Sequence, residues 1–362
     1  MKAGSVRRAE ARMQRLLLRA LGVVAAASPL AVAMVLNAAC SSLPADADAS
    51  ADAGACGRRQ VQYDASDDGG GACETFFQQP CGQPQGVTGV ALCQYLPQDC
   101  EVLCGPGYNT CYAVGDWCKN GAVTAQDPDA SPLIVQCGLC PNGGRRPSGL
   151  ASAPAQAHVS AVGDYFAQAA HLEAASIAAF RILRREIASY GAPADLLDAA
   201  RRAEADEVKH TRMTTKIARA HGGKRPKVRL APSKSRSLEA IAIENVVEGC
   251  VRETFAALVA LWQADHAADP HIAAAMKEIA VDESRHAALA WSVAAWADPL
   301  LDAGARKRVE AAKLKAICDL EKEIETEPHP DLVVRAGLPR PRDQVRLLAQ
   351  MLRELGVTLA AA

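Results

Sequence analysis

The run Asp-Glu-x-(Lys/Arg)-His occurs twice in this chain, as DEVKH at 206–210 and DESRH at 282–286. Each copy sits in a long segment whose apolar residues recur in steps of three and four. The first stripe reads Leu196, Ala200, Ala203, Glu207, His210, Thr214, Ile217. The second reads Ile272, Met276, Ile279, Glu283, His286, Ala290, Val293. Residues so spaced share one face of a helix. Glu207 with His210, and Glu283 with His286, therefore lie on apolar stripes, one turn apart. Charge on a buried face must be paired or must hold a metal. One copy alone would read as a satisfied core histidine; two copies in phase point to a metal site.

Two further carboxylates fall on apolar stripes. Glu173 shares a face with Ile177 and Phe180, and Glu253 with Val246, Cys250 and Ala257. Residues 174–205 separate Glu173 from DEVKH, and residues 254–281 separate Glu253 from DESRH. Each half is thus one helix with an inward Glu, a short turn, and one helix with Glu-x-x-His. The turns are GAP at 191–193 and ADHAADP at 264–270. The basic stretch GGKRPKVRLAPSKSRS at 222–237 joins the halves, and its length suits a crossover connection. Glu248 competes with Glu253 for the third helix. Five residues apart, the two lie about 140° around an α-helix and cannot face one seam. The stripe of Glu248 (Glu244, Val251, Phe255) is more mixed, so Glu253 is the choice and Glu248 the alternative ligand.

Four carboxylates and two imidazoles at one level of four helices resemble the ligand set of the ferritin-like di-iron and di-manganese carboxylate proteins. The resemblance covers residues 157–297. It implies a mainly α chain: a ferritin-like four-helix bundle with additional C-terminal helices, preceded by a small disulfide-rich irregular module. It assigns Glu173, Glu207, His210, Glu253, Glu283 and His286 as ligands of two iron ions, or manganese, with open positions for O2 or peroxide. Asp206 and Asp282 fall where the family places a carboxylate that hydrogen-bonds a ligand imidazole; the alternative is a solvated face paired with Lys209 or Arg285. The implied activity is an oxidoreductase of ferroxidase, peroxide-scavenging or oxygenase type, working with an unknown reductant or substrate. The alternatives are an anchored metal-storage or sensing protein without turnover, and a disulfide-stapled surface interaction protein with a degenerate site. Rubrerythrin-like electron delivery would need a rubredoxin module, which the cysteine pattern does not match.

Outside the helical region the chain changes character. Arg7, Arg8, Arg12 and Arg15 precede an apolar run from Leu16 to Leu36, broken at Arg19, that ends in LNAAC. Residues 1–39 read as an export signal. The ending resembles a bacterial lipoprotein signal, which would lipidate Cys40 and anchor the exported protein to a membrane, facing the periplasm or cell surface; Asn37 departs from that pattern. Ordinary cleavage nearby and an uncleaved anchor are the alternatives. The Arg7-Arg8 pair lacks the apolar residues that follow it in twin-arginine signals. Residues 40–55, small and repetitive, form a flexible tether.

A cysteine-rich module then spans 56–145, with Cys56, Cys73, Cys81, Cys93, Cys100, Cys104, Cys111, Cys118, Cys137 and Cys140. In an exported chain, ten clustered cysteines read as up to five disulfides. A zinc or rubredoxin-like iron site is the rival, but only Cys137-x-x-Cys140 has its spacing. Cys250 reads as a small buried residue, and Cys318 has no assignable partner. Residues 298–362 add helices near 310–325 and 343–357 that cover the bundle or mediate self-association. A net charge of −1 gives no nucleic-acid footprint.

Overall fold

A computed structural model describes residues 5–24, 59–62, 75–78, 111–114, 118–119, 122–123, 134–137, 145–150, 160–232, 235–324 and 328–356. Ser160 starts the first long helix of the C-terminal region, α2 (Ala161–Ser189). Its hydroxyl accepts from the Gly163 amide and donates to the His221 carbonyl, 2.7 Å away. A side chain at Gly163 would lie 2.4 Å from that same carbonyl, and one at Gly223 would lie 2.1 Å from the Gly163 carbonyl. The two glycines therefore let the start of α2 touch the end of the next helix, α3 (Ala194–Ala220). That contact sets the register of α2 against α3.

After the 222–237 connection, Ser237 caps α4 (Leu238–Glu244), accepting from the Ala240 amide as helix-capping serines do. The chain continues into a π-helix (Asn245–Glu253) and α5 (Thr254–His266). Asp269 then caps α6 (Pro270–Ala297), with proline at the first helical position. Contacts between α2 and α3, between α6 and the π-helix–α5 stretch, and between α3 and α6 bring the four stretches together.

Two apolar clusters flank the level of the Glu-x-x-His motifs. On one side Phe166, Ile217, Phe255, Leu258, Ile272 and Ile279 are packed. On the other are Phe180, Leu183, Ile187, Leu196, Ile241 and Val293. Each such side chain contributes about 1.5–3 kcal/mol on burial. Together they offset the cost of the polar layer between them.

The C-terminal helices are α7 (Ala303–Glu323), α8 (Pro330–Arg335) and α9 (Pro341–Leu355). The α7 helix starts earlier than its charged sequence suggests. Pro330 and Pro341 supply the first residues of α8 and α9, because proline is pre-organised for that position. The α1 helix (Ser5–Val24) falls within the segment read as an export signal. It buries Val6, Met13 and Leu17, pairs Glu10 with Arg202 at 3.0 Å, and lies against α6 and α9. Among the described residues no helix is long and apolar enough to cross a membrane.

The cysteine-rich segment, expected to be irregular, contains an antiparallel sheet in the order β1 (Arg59–Gln62), β2 (Thr75–Gln78), β6 (Ile134–Cys137), β3 (Cys111–Val114), and a short pair β4 (Cys118–Lys119) and β5 (Ala122–Val123). The runs TFFQ, CYAV and IVQC carry aromatic and β-branched residues suited to strands, a signal lost among the surrounding Gly and Pro. Cys111, Cys118 and Cys137 lie on these strands. Cys40, Cys56, Cys73, Cys81, Cys93, Cys100, Cys104 and Cys140 lie outside the described residues.

Cys250 is a free, buried thiol, and Cys318 on α7 is disulfide-bonded. Every other cysteine precedes residue 141, so the partner of Cys318 belongs to that N-terminal set. The ten clustered cysteines can then close five bridges among themselves only if Cys318 pairs with Cys40. Digestion without reductant should yield a peptide containing Cys318 linked to one from residues 40–140, checked by mass spectrometry. Alkylation of Cys318 in unreduced, denatured protein would show a free thiol and refute the bridge.

Candidate metal centre

One donor atom from each of Glu173 (α2), Glu207 and His210 (α3) and Glu283 (α6) lies within 4.8 Å of the others. All four residues are buried. His210 Nδ1 is 3.3 Å from Glu283 Oε1 and 3.7 Å from Glu173 Oε2 and Glu207 Oε2. His286 joins from α6: its Nδ1 is 3.4 Å from Glu207 Oε1 and 3.5 Å from Glu283 Oε1. Glu253, at the end of the π-helix, is buried beside this group and feels the charges of His286, Glu283 and Glu207.

The far nitrogens of the two imidazoles cross between the halves. His210 Nε2 is 3.1 Å from Asp282 Oδ2, and His286 Nε2 is 3.4 Å from Asp206 Oδ2. Each motif's aspartate thus faces the other motif's histidine. Arg285 ties the aspartates together, donating from Nη2 to Asp206 Oδ2 at 3.0 Å and to Asp282 Oδ1 at 2.6 Å. Lys209 donates to Asp282 at 3.2 Å. Each aspartate therefore has an imidazole and a cationic side chain as neighbours, and Asp282, 4% exposed, is not on a solvated face.

The inward atoms carry the chemical signal. Both oxygens of Glu207, Glu283 and Glu253, Oε2 of Glu173, Nδ1 of His210 and both ring nitrogens of His286 are buried without a hydrogen bond among the described residues. Buried polar atoms are ordinarily paired. A cluster of carboxylate oxygens and imidazole nitrogens, all orphaned and converging, fits divalent cations with hard-to-borderline donor preferences.

Without a cation the group must hold protons. Burial, reinforced by Glu207, pushes the Glu173 carboxyl well above the usual carboxylate range. Burial also works against ionised Glu207, yet Glu173 and the two imidazoles keep it low. Glu253 is pushed up to about 8 by burial, with Arg145 opposing. Burial alone would lower both histidines. Asp282 with the inner carboxylates raises His210 well above its ordinary value, and Glu283 with Asp206 does the same for His286.

The π-helix changes one premise. Its hydrogen bonds run over five residues, so Glu248 and Glu253 are separated by about one turn, and the α-helical angle between them does not apply. Their surroundings still differ. Glu248 Oε2 accepts from the Arg146 amide at 3.2 Å, and Arg252 Nε is 3.9 Å from Oε1. Glu253 is the one set beside the metal-type donors.

Arg145 was not singled out by the sequence, where it stands in a Gly/Pro-rich stretch without periodicity. It is fully buried, donates to Asn245 Oδ1 at 3.2 Å, and lies 5.9 Å from the Phe180 ring centroid. Phe180 in turn sits 5.0 Å from the His286 ring. A side chain at Gly249 would come 3.0 Å from Arg145 Nη1, so glycine there leaves room for the guanidinium. A small pocket lined by Tyr165, Phe166, Thr214 and Met276 also reaches Glu173 and Glu283.

Compared with protein-family models, curated proteins and solved structures, the chain matches none.

Two outcomes follow from this geometry. Cation binding must displace protons from the histidines and from Glu253. Affinity in chelator competition should therefore rise from pH 6 to pH 8, by roughly tenfold per pH unit for each proton released; a flat profile would contradict the protonation pattern. Glu253→Ala should lower metal content well below that of Glu248→Ala, both retaining their helical circular dichroism. The reverse order would put the ligand one π-turn earlier.

Proposed function

We propose that this chain is an exported di-metal carboxylate protein with a ferritin-like four-helix bundle, acting as an oxidoreductase on dioxygen or peroxide. The observation that carries the reading is the converging set of buried, unpartnered donor atoms on Glu173, Glu207, His210 and Glu283. Glu253 and His286 complete a set of four carboxylates and two imidazoles. Four ionised carboxylates balance two divalent cations, leaving the buried layer close to neutral. Iron or manganese in such a set supplies redox equivalents and Lewis acidity toward dioxygen or peroxide.

The protein's own groups have separable roles. Asp282 fixes which nitrogen of His210 bears the proton, so that its Nδ1 faces inward, and Asp206 stands 3.4 Å from His286 Nε2 to take the same part. The flanking apolar clusters exclude water and hold the helices in phase. The small pocket beside Tyr165 lies against Glu173 and Glu283, where a molecule the size of dioxygen would meet the donor set. The orphaned donors count against a degenerate surface-interaction protein. Export rests on the N-terminal pattern, and membrane attachment on lipidation of Cys40.

Purified protein should carry about two equivalents of iron or manganese per chain, and should consume dioxygen or peroxide when a reductant is supplied. Glu283→Ala should lose both properties. Metal without consumption would favour storage or sensing, and a single zinc in the cysteine-rich region with none among the helices would defeat the proposal.

A further inference from the structure

The second half of α3 presents a surface unlike the rest of that helix. Arg212, Lys216 and Arg219 there, with Lys224 and Arg225 on the following connection, surround one concavity. None of these five cations has an ion-pair partner among the described residues; Arg225 Nη1 donates only to the neighbouring Pro226 carbonyl, at 3.3 Å. Elsewhere on α2 and α3 four of the five remaining arginines are matched, Arg181 and Arg184 with Glu204, Arg201 with Asp198, Arg202 with Glu10, Arg185 being the exception among the described residues. No carboxylate lines the concavity.

Its remaining walls are Thr211 and Thr215, one helical turn apart. Their hydroxyl oxygens are buried and have no hydrogen-bond partner among the described residues. Five like charges around one hollow repel each other, and two idle hydroxyls add donors that nothing uses. A multiply charged oxyanion answers both conditions, since guanidinium and ammonium groups bind phosphate through charge-assisted hydrogen bonds and a hydroxyl donates to its oxygens. A cation is excluded by the absence of acidic donors.

We propose that this concavity is a binding site for a phosphate-bearing anion, separate from the metal centre. The group recognised is a phosphate, free or carried on a lipid headgroup. Guanidinium and ammonium groups gathered from α3 and the following connection suit the concentrated charge of a phosphate better than an extended acidic peptide, whose carboxylates are spread along a chain.

Calorimetric titration of the exported chain with inorganic pyrophosphate, and co-sedimentation with vesicles of phosphatidylcholine alone or mixed with phosphatidylglycerol, test the assignment. The double variant Arg219→Gln/Lys224→Gln should weaken binding by roughly tenfold or more, and Thr215→Val should weaken it further without altering net charge. Arg306→Gln/Lys307→Gln, on the exposed side of α7, should leave it unchanged. Helical circular dichroism and metal content should be unaffected in every variant, so this result is read independently of the metal centre. Binding of pyrophosphate identifies free phosphate as a source; binding only of phosphatidylglycerol vesicles identifies the headgroup. No binding in either arm overturns the proposal. So does an equal loss in the α7 control, which would show diffuse surface charge, or equal affinity for polyglutamate, which would show a carboxylate peptide site.

Discussion

The structure depends on the burial of charge. Six ionisable side chains meet at one level between two apolar clusters, where water cannot solvate them. Their presence is tolerable only if cations or protons balance the carboxylates and if partners hold the imidazoles. Both requirements are met by repetition. Each half of the helical region brings one Glu from its first helix, and a Glu, a His and an Asp from its second, and the Asp of each half faces the His of the other. The apolar residues on either side hold the helices in place, while the polar layer fixes their register.

Much of this was legible in the sequence because it is periodic. Glu207, His210, Glu283 and His286 could be placed on one face by counting threes and fours, and Glu173 by its company of Ile177 and Phe180. The start of α4 was marked by Ser237. What lacked periodicity could not be read this way. Arg145 reaches the core from an irregular stretch, and only the packing shows it above Phe180. The short strands of the cysteine-rich segment were masked by the Gly and Pro around them. The bond at Cys318 depends on proximity in space, which spacing along the chain does not encode.

The π-helix shows where counting misleads. Angular arguments about Glu248 and Glu253 assume 3.6 residues per turn, and that assumption fails at the segment carrying both residues. Several contacts converge on it. Asn245 donates to the Ala290 carbonyl at 2.9 Å and accepts from Arg145, while Arg252 forms a two-point pair with Glu323 of α7. The wider turn is thus tied on three sides by α6, the 145–146 strap and α7. Such segments recur at functional sites, and here one ends on Glu253.

The reciprocal brace is not symmetric. Asp282 is nearly buried and takes His210, Lys209 and Arg285, whereas the side chain of Asp206, 20% exposed, faces only Arg285 and His286 among the described residues. His210 is accordingly clamped by a crowded, dry carboxylate, and His286 by a wetter one with fewer ties. The two imidazoles have different freedom to tilt, so the inner layer has a stiff half and a compliant half. A pair of cations held there would occupy unequal positions, one fixed by its surroundings and the other able to adjust as its coordination changes.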